Sequence, residues 1–159
     1  MKKCRFRGHR FDCLEPRFAG ILVVTARGQK LANGGVLLLD DDDDLRDVLG
    51  DLVRLLTGRS CLTLRSLSEV VARRDEVLAC GLAILDINLG RGQPSGIDAY
   101  AWLEREGFRG RVAFLTGHAS SHPLVARAGG LGAARVYQKP IGLAELRQLL
   151  AAPPPGVTA

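Results

Sequence analysis

The apolar run Val36–Leu39 ends abruptly at five consecutive carboxylates, Asp40 to Asp44. Four aliphatic residues stopped by charge indicate a strand that is buried on both faces, as in a parallel sheet. The carboxyl end of such a strand is where open α/β sheets bind their ligands. Because neighbouring ionised carboxylates repel each other by about 1 kcal/mol per near pair even in water, we expect this run to bind a divalent cation, to begin a helix, or both.

Size and charge indicate one domain with tails. The chain has 159 residues, of which 47% are hydrophobic and 25% are charged, as in an ordinary soluble domain. Its net charge of +5 is uneven, because residues 1–34 carry +6 and the remainder carries −1. A basic tail on a neutral domain is weak evidence about partners. Since the sequence has no helix-turn-helix pattern and no interleaved aromatic residues, we expect no direct nucleic-acid contact.

We divide the chain into three segments. Residues 1–34 are interpreted as a basic, flexible N-terminal extension in which only residues 21–24 could form a strand, and which closes on a turn signal. Residues 35–151 form the folded domain. Residues 152–159 form a Pro-rich C-terminal tail, from which we expect a stand-alone domain without an output domain.

Cysteine usage and hydropathy indicate a cytoplasmic location. The cysteines Cys4, Cys13, Cys61 and Cys80 form no CxxC pair, which is typical of a reducing compartment. Cys4, His9 and Cys13 do not have the spacing of a zinc finger, so we attribute their proximity to chance. No apolar stretch has the length of a membrane span, and we expect no membrane insertion.

Strand and helix patterns alternate five times after residue 35. Strands are predicted at residues 36–39, 60–64, 81–86, 112–116 and 135–138. Helices are predicted from an N-cap at Asp43 or Asp44 to Gly58, and at residues 68–78, 97–106, 143–150 and from Pro123 onward. In the first helix the apolar residues at helical spacing are Leu45, Val48, Leu49, Leu52, Leu55 and Leu56, and in the second Val70, Val71 and Leu78 are expected to face inward. The alternation predicts an α/β fold, a doubly wound parallel sheet with helices on both faces.

Reactive side chains end four of these strands, namely Asp40 with Asp41, then Asp86, Thr116 and Lys139. The carboxyl ends of parallel strands converge on one crevice, so we expect these groups to meet. Carboxylate oxygens suit Mg²⁺, and an aspartate beside a metal, a hydroxyl and an ammonium group can act as a nucleophile toward phosphorus.

The chain from Gly35 to about Ala151 resembles the receiver domain of two-component response regulators, the CheY-like type. The motifs that carry the resemblance lie at residues 36–42, 85–89, 114–117 and 138–140. The resemblance implies a five-stranded, flavodoxin-like sheet of strand order 2-1-3-4-5. It also makes Lys139-Pro140 a candidate cis peptide bond.

The resemblance implies a metal site of four residues. Asp41 would bind Mg²⁺ directly, Asp40 directly or through water, and Asn88 through its backbone carbonyl, with the phosphoacceptor Asp86 completing the set. Mn²⁺ could replace Mg²⁺.

The resemblance also assigns the phosphoryl chemistry. Asp86 would be the phosphoacceptor, and Thr116 and Lys139 would each bind an oxygen of the arriving phosphoryl group. Three positions before the lysine, where the family has an aromatic switch residue, this sequence has Val136, and Tyr137 follows it.

The implied function is that of a single-domain response regulator. Its partners would be a sensor histidine kinase or a histidine phosphotransfer protein, and a downstream effector protein. It would not be an enzyme beyond its own autophosphorylation and autodephosphorylation. An alternative is a phosphorelay intermediate that passes the group to a histidine phosphotransfer protein. We expect phosphorylation to reshape the face formed by the helix after Thr116, the strand before Lys139 and the last helix.

Other functions fit the residues less well. A calcium loop is rejected because Leu45 stands where glycine is required and Asp51 where glutamate is required. A haloacid-dehalogenase-like phosphohydrolase would use Asp40 as its nucleophile, but Asp44 and Leu45 stand where its motif continues into threonine or valine, and its later acidic pair is absent. A receiver-like module that no longer accepts phosphate is disfavoured because all the reactive residues are present.

Overall fold

The computed structural model describes residues 3–6, 9–12, 34–117, 123–131 and 134–151. Its main sheet consists of β3 (Val36–Leu39), β4 (Cys61–Leu64), β5 (Leu82–Asp86), β6 (Arg111–Thr116) and β7 (Ala134–Gln138). All neighbouring strands pair in parallel, in the order β4-β3-β5-β6-β7. This is the order 2-1-3-4-5 for the five strands counted along the domain, so the predicted fold is confirmed.

Helices cover both faces of this sheet. They are α1 (Asp43–Thr57), α2 (Leu67–Ala72), α3 (Arg74–Leu78), α4 (Gly96–Arg105), α5 (Pro123–Gly129) and α6 (Leu143–Ala151). One hydrophobic cluster joins the sheet to α1 and α6, and a second joins it to α2, α3, α4 and α5. β3 is fully buried because both clusters pack against it. Burying such aliphatic side chains stabilises the fold by about 1.5–3 kcal/mol each.

Helix α1 begins one residue earlier than the predicted caps allow. Asp42 is the N-cap, because its side chain accepts a hydrogen bond from the Leu45 N–H at 3.0 Å. Gly58 ends the helix in a left-handed conformation with φ of 66°, as predicted. Not all the apolar residues at helical spacing face the core, since Val48 is 58% and Leu55 80% exposed.

The predicted second helix is wrong as one continuous element. The chain leaves helical geometry at Arg73, with φ −108° and ψ 34°, which separates α2 from α3. The break changes which side chains reach the core. Val70 and Val77 are buried, whereas Val71 is exposed.

The N-terminal segment contains a strand pair that the sequence pattern did not predict. β1 (Lys3–Phe6) and β2 (His9–Asp12) pair antiparallel. The predicted strand at residues 21–24 lies outside the described residues, as do the rest of residues 13–33 and the tail at 152–159. None of the helices in the described part of the chain has the length and hydropathy that crossing a bilayer requires.

Candidate functional site

Three carboxylates meet at the carboxyl edge of the sheet. Asp40 and Asp41 follow β3, Asp86 ends β5, and each offers an oxygen that lies within 4.8 Å of the others. Asp40 is fully buried and Asp86 is 4% exposed, while Asp41 is open to solvent. A compact set of oxygen donors with one solvent-facing member suits a hard divalent cation that keeps part of its water shell.

Lys139 lies between the two buried carboxylates. Its Nζ is 2.7 Å from Oδ2 of Asp40 and 2.7 Å from Oδ2 of Asp86, and it donates a hydrogen bond to the latter. The contact with Asp40 is an ion pair without hydrogen-bond alignment, so this buried oxygen has no hydrogen-bond partner among the described residues. A buried carboxylate oxygen in that condition can accept a further cation, and the donor set therefore fits Mg²⁺.

The turns that follow β3 and β5 hold the two buried carboxylates in the same way. The Asp42 N–H donates to Oδ1 of Asp40 at 3.1 Å, and the Asn88 N–H donates to Oδ1 of Asp86 at 3.2 Å. In each case the N–H of the residue two positions later holds Oδ1 of the aspartate, and the other oxygen, Oδ2, faces Lys139. The predicted role of the Asn88 backbone carbonyl as a metal ligand stays a prediction.

The acids of the opening run therefore divide by role. Asp40 and Asp41 belong to the carboxylate cluster, and Asp42 caps α1. Asp43 pairs with Arg46 and lies 3.8 Å from Arg65. Its hydrogen bond from Arg46 holds the pKa of Asp43 below its ordinary value.

Burial and charge act on the two reactive groups in opposite ways. Burial raises the pKa of Asp86 above its ordinary value, although the hydrogen bond from Lys139 works against this. Burial would lower the pKa of Lys139, but the negative charges of Asp40 and Asp86 beside it outweigh burial and raise that pKa. The ammonium group is thus retained at neutral pH, where it can balance charge on a phosphoryl group.

The raised pKa of Asp86 predicts how stability changes with pH in the metal-free protein. The folded state binds the Asp86 proton more tightly than the unfolded state, so this group's contribution to stability falls as the pH rises through the raised pKa. Asp86→Asn has no carboxyl group at this position to titrate, so it does not lose this stability as the pH rises. In EDTA, the free energy of unfolding of Asp86→Asn minus that of the wild type should increase with pH. Urea unfolding between pH 4 and neutrality measures it, and a difference that shrinks as the pH rises contradicts the assignment.

Strand pairing places Thr116 at the same edge of the sheet as Asp86, and Lys139 is tied to that edge. Asp86 is paired in register with Leu115 of β6. Thr116 is the next residue, ends β6 and is fully buried. The Lys139 N–H donates to the Thr116 carbonyl at 2.8 Å, which ties the lysine to the end of β6. The Lys139-Pro140 peptide bond is cis, as predicted.

Val136 and Tyr137 lie on opposite faces of the sheet, as neighbouring residues of a strand must. Val136 packs against the cluster that includes α5, whereas Tyr137 packs against the one that includes α1 and α6. Tyr137 therefore does not occupy the face of the sheet on which the resemblance predicts an aromatic switch residue, at the position of Val136.

Gly96 is a site-supporting residue that the sequence analysis did not single out. It opens α4, and its N–H donates to the Ile87 carbonyl at 3.1 Å. A Cβ added here would lie 2.0 Å from the carbonyl oxygen of Asp86 and 3.3 Å from the Ile87 Cα. Only glycine lets α4 approach the backbone of the phosphoacceptor candidate this closely. Its position at the start of a helix after a glycine-rich loop was the available sequence signal.

Gly96→Ala should force α4 away from the end of β5. We expect the free energy of unfolding to fall by at least about 2 kcal/mol, because the atom that the methyl group meets is backbone and cannot move aside. The matched control is Gly129→Ala in α5, where an added Cβ meets nothing within 4 Å. That variant should change stability by about 1 kcal/mol or less. Equal effects of the two substitutions in chemical denaturation contradict the steric account.

Comparison with protein families identifies the domain. The family model described as "Response regulator receiver domain" matches residues 36–151. The chain belongs to the response regulator receiver family. The match covers the whole main sheet and its helices, and it supports the receiver interpretation over the phosphohydrolase.

Solved structures show the same fold. A receiver domain protein from Clostridium thermocellum has 21% identity and a TM-score of 0.62, over 74% of this chain and 90% of that chain. A CheY-like receiver domain protein from Methanospirillum hungatei has 20% identity and a TM-score of 0.62, over 75% and 94%. The receiver domain of NtrX from Brucella abortus has 22% identity and a TM-score of 0.61, over 70% and 90%. At these identities the likeness shows the fold alone. A comparison with curated proteins finds no match.

Proposed function

We propose that this receiver domain accepts a phosphoryl group on Asp86 from a histidine of a partner kinase or phosphotransfer protein. The observation that carries the proposal is the buried Asp86 carboxylate, which lies beside Asp40 and Asp41 and is bonded to Lys139 at the carboxyl edge of a receiver sheet. No other group of three His, Cys, Asp or Glu residues in the described ranges could hold a metal ion.

The transfer is a displacement at phosphorus. A carboxylate oxygen of Asp86 forms a bond to phosphorus while the phosphorus–nitrogen bond of the phosphohistidine breaks, and the imidazole nitrogen keeps the electron pair. Lys139 moves with its positive charge from the carboxylates to an oxygen of the arriving group, and the Thr116 hydroxyl binds another. Mg²⁺, held by Asp40, Asp41 and Asp86, would neutralise charge on the transferred group when bound.

Output would follow from a change of protein partner. Phosphorylation would shift Lys139 from the carboxylates to a phosphoryl oxygen and bring the Thr116 hydroxyl to another. Thr116 ends β6, and Lys139 directly follows β7. The face formed by α5, β7 and α6 would therefore shift between two conformations that bind an effector protein differently. We place the protein in the cytoplasm, as a signalling domain without further catalytic activity. The alternative, a phosphorelay step to a histidine phosphotransfer protein, would use the same site.

Beryllofluoride, a phosphoryl mimic, tests both parts of this proposal. With Mg²⁺ present we expect amide shifts of Asp86, Asn88 and the end of β6, and further shifts across α5, β7 and α6. The control is Asp86→Asn, which should show neither set. If residues around Asp86 do not respond, phosphoacceptance is wrong. If they respond and α5, β7 and α6 do not, only the output face is wrong.

A further inference from the structure

Arg46 contacts the backbone at the centre of the proposed metal site. It lies in the second turn of α1, yet its side chain is only 13% exposed. Its Nη1 donates to the carbonyl oxygen of Asp40 at 2.7 Å, and its Nη2 pairs with Oδ1 of Asp43. A long cationic side chain is thus folded back from the helix onto the end of β3.

This contact fixes the peptide unit that joins the two acids of the cluster. The carbonyl of Asp40 belongs to the peptide plane that leads into Asp41. The preceding plane is held from the other side, because the Asp40 N–H donates to the Leu64 carbonyl of β4 at 3.1 Å. The hydrogen bonds from Arg46 and to Leu64 therefore restrain the two peptide planes that flank Asp40, and the second of these planes leads directly into the exposed Asp41.

A planar guanidinium group is suited to this arrangement. Its two terminal nitrogens bind the Asp40 carbonyl and the Asp43 carboxylate at once, and Asp43 is the first residue of α1. The fork therefore ties the strand end to the first turn of the helix. A lysine ammonium is a single point charge on a flexible stem and does not reproduce this geometry.

We propose that Arg46 is a positioning residue of the Mg²⁺ site, acting through the Asp40–Asp41 peptide. The inference rests on the proposed function, since it requires that these acids bind the metal. A positioning role and a purely electrostatic role predict opposite changes in Mg²⁺ affinity when Arg46 is replaced. A cation near the carboxylates disfavours a second cation, so loss of its charge alone would tighten Mg²⁺ binding, whereas loss of positioning weakens it.

Isothermal titration calorimetry of Mg²⁺ into the full chain tests whether the affinity falls or rises. Arg46→Met keeps an unbranched apolar stem and removes the guanidinium fork, and we expect about tenfold weaker binding, as for residues that orient metal ligands. The control is Arg54→Met, which removes a positive charge from the exposed side of the same helix and should change the affinity less than about twofold. Unchanged or tighter binding by Arg46→Met overturns the proposal.

Arg46→Lys separates geometry from charge and covers the case in which Arg46→Met does not fold. It retains the positive charge, so weaker Mg²⁺ binding by this variant supports positioning and wild-type affinity overturns it. In the metal-free state, amide shifts of Asp41 and Asp42 should move in Arg46→Lys and stay in place in Arg54→Met. Mg²⁺ binding by the wild type distinguishes failure of the proposed function from failure of the proposed role of Arg46. If the wild type binds no Mg²⁺, the proposed function fails; if it binds and the Arg46 variants bind equally well, only the role of Arg46 fails.

Discussion

Asp86→Asn should abolish labelling of the protein by a small phosphodonor such as acetyl phosphate. The amide has no negative charge and a much weaker oxygen nucleophile, so the rate of label incorporation should fall by more than about 100-fold. The measurement is the rate of incorporation with Mg²⁺ present. Labelling of this variant at the wild-type rate contradicts the assignment of the phosphoacceptor.

Two observations make this variant informative. Asn retains the side-chain oxygen that accepts the Asn88 N–H, so the turn after β5 should persist. The burial that raises the pKa of Asp86 also means that removal of its charge relieves a desolvation cost, and loss of labelling should not reflect unfolding. The matched control is Asp47→Asn, because Asp47 is exposed on α1 and lies outside the carboxylate cluster. It should label at the wild-type rate.

Asp41→Asn should weaken Mg²⁺ binding with little effect on the fold. Asp41 is the exposed member of the cluster, so its substitution leaves no buried group without a partner. We expect Mg²⁺ affinity to fall by at least about tenfold, since even residues that only orient metal ligands have effects of that size. Titration calorimetry measures this, and thermal unfolding with and without Mg²⁺ should show that the metal stabilises the wild type more than the variant.

Asp44→Asn is the control for charge in this experiment. Asp44 belongs to the same run of aspartates and is exposed, but it lies in α1 and outside the carboxylate cluster. Its loss should change Mg²⁺ affinity only through weak, screened electrostatics. Equal losses of affinity in the Asp41 and Asp44 variants indicate a diffuse acidic surface and contradict a defined metal site.

The strand ends were predictable because they combine two strong local signals. A short aliphatic run indicates a buried parallel strand, and a charge directly after it indicates the carboxyl edge of the sheet. These signals predicted that Asp40, Asp86 and Lys139 meet, and Lys139 lies within ion-pair distance of both aspartates. The residues concerned are far apart in sequence, but the topology of a parallel sheet makes their ends meet.

Features that depend on tertiary contact with the backbone were not predictable in the same way. The contact of Arg46 with the Asp40 carbonyl requires the angle between β3 and α1, and the requirement for glycine at position 96 requires the approach of α4 to β5. Helical spacing predicted the apolar face of α1 only in part, because Val48 and Leu55 have that spacing and are nevertheless exposed to solvent. The break at Arg73 has no proline or glycine to mark it, which is why one helix was predicted there.

Identification of the phosphorylated residue tests the central claim most directly. The wild-type chain would be treated with acetyl phosphate in Mg²⁺ or in EDTA, the acyl phosphate trapped by borohydride reduction, and the peptides mapped by mass spectrometry. We expect modification of Asp86 alone, and only when Mg²⁺ is present. Modification of Asp40 would indicate the phosphohydrolase mechanism, and modification of neither aspartate in Mg²⁺ would contradict phosphoacceptance by this domain.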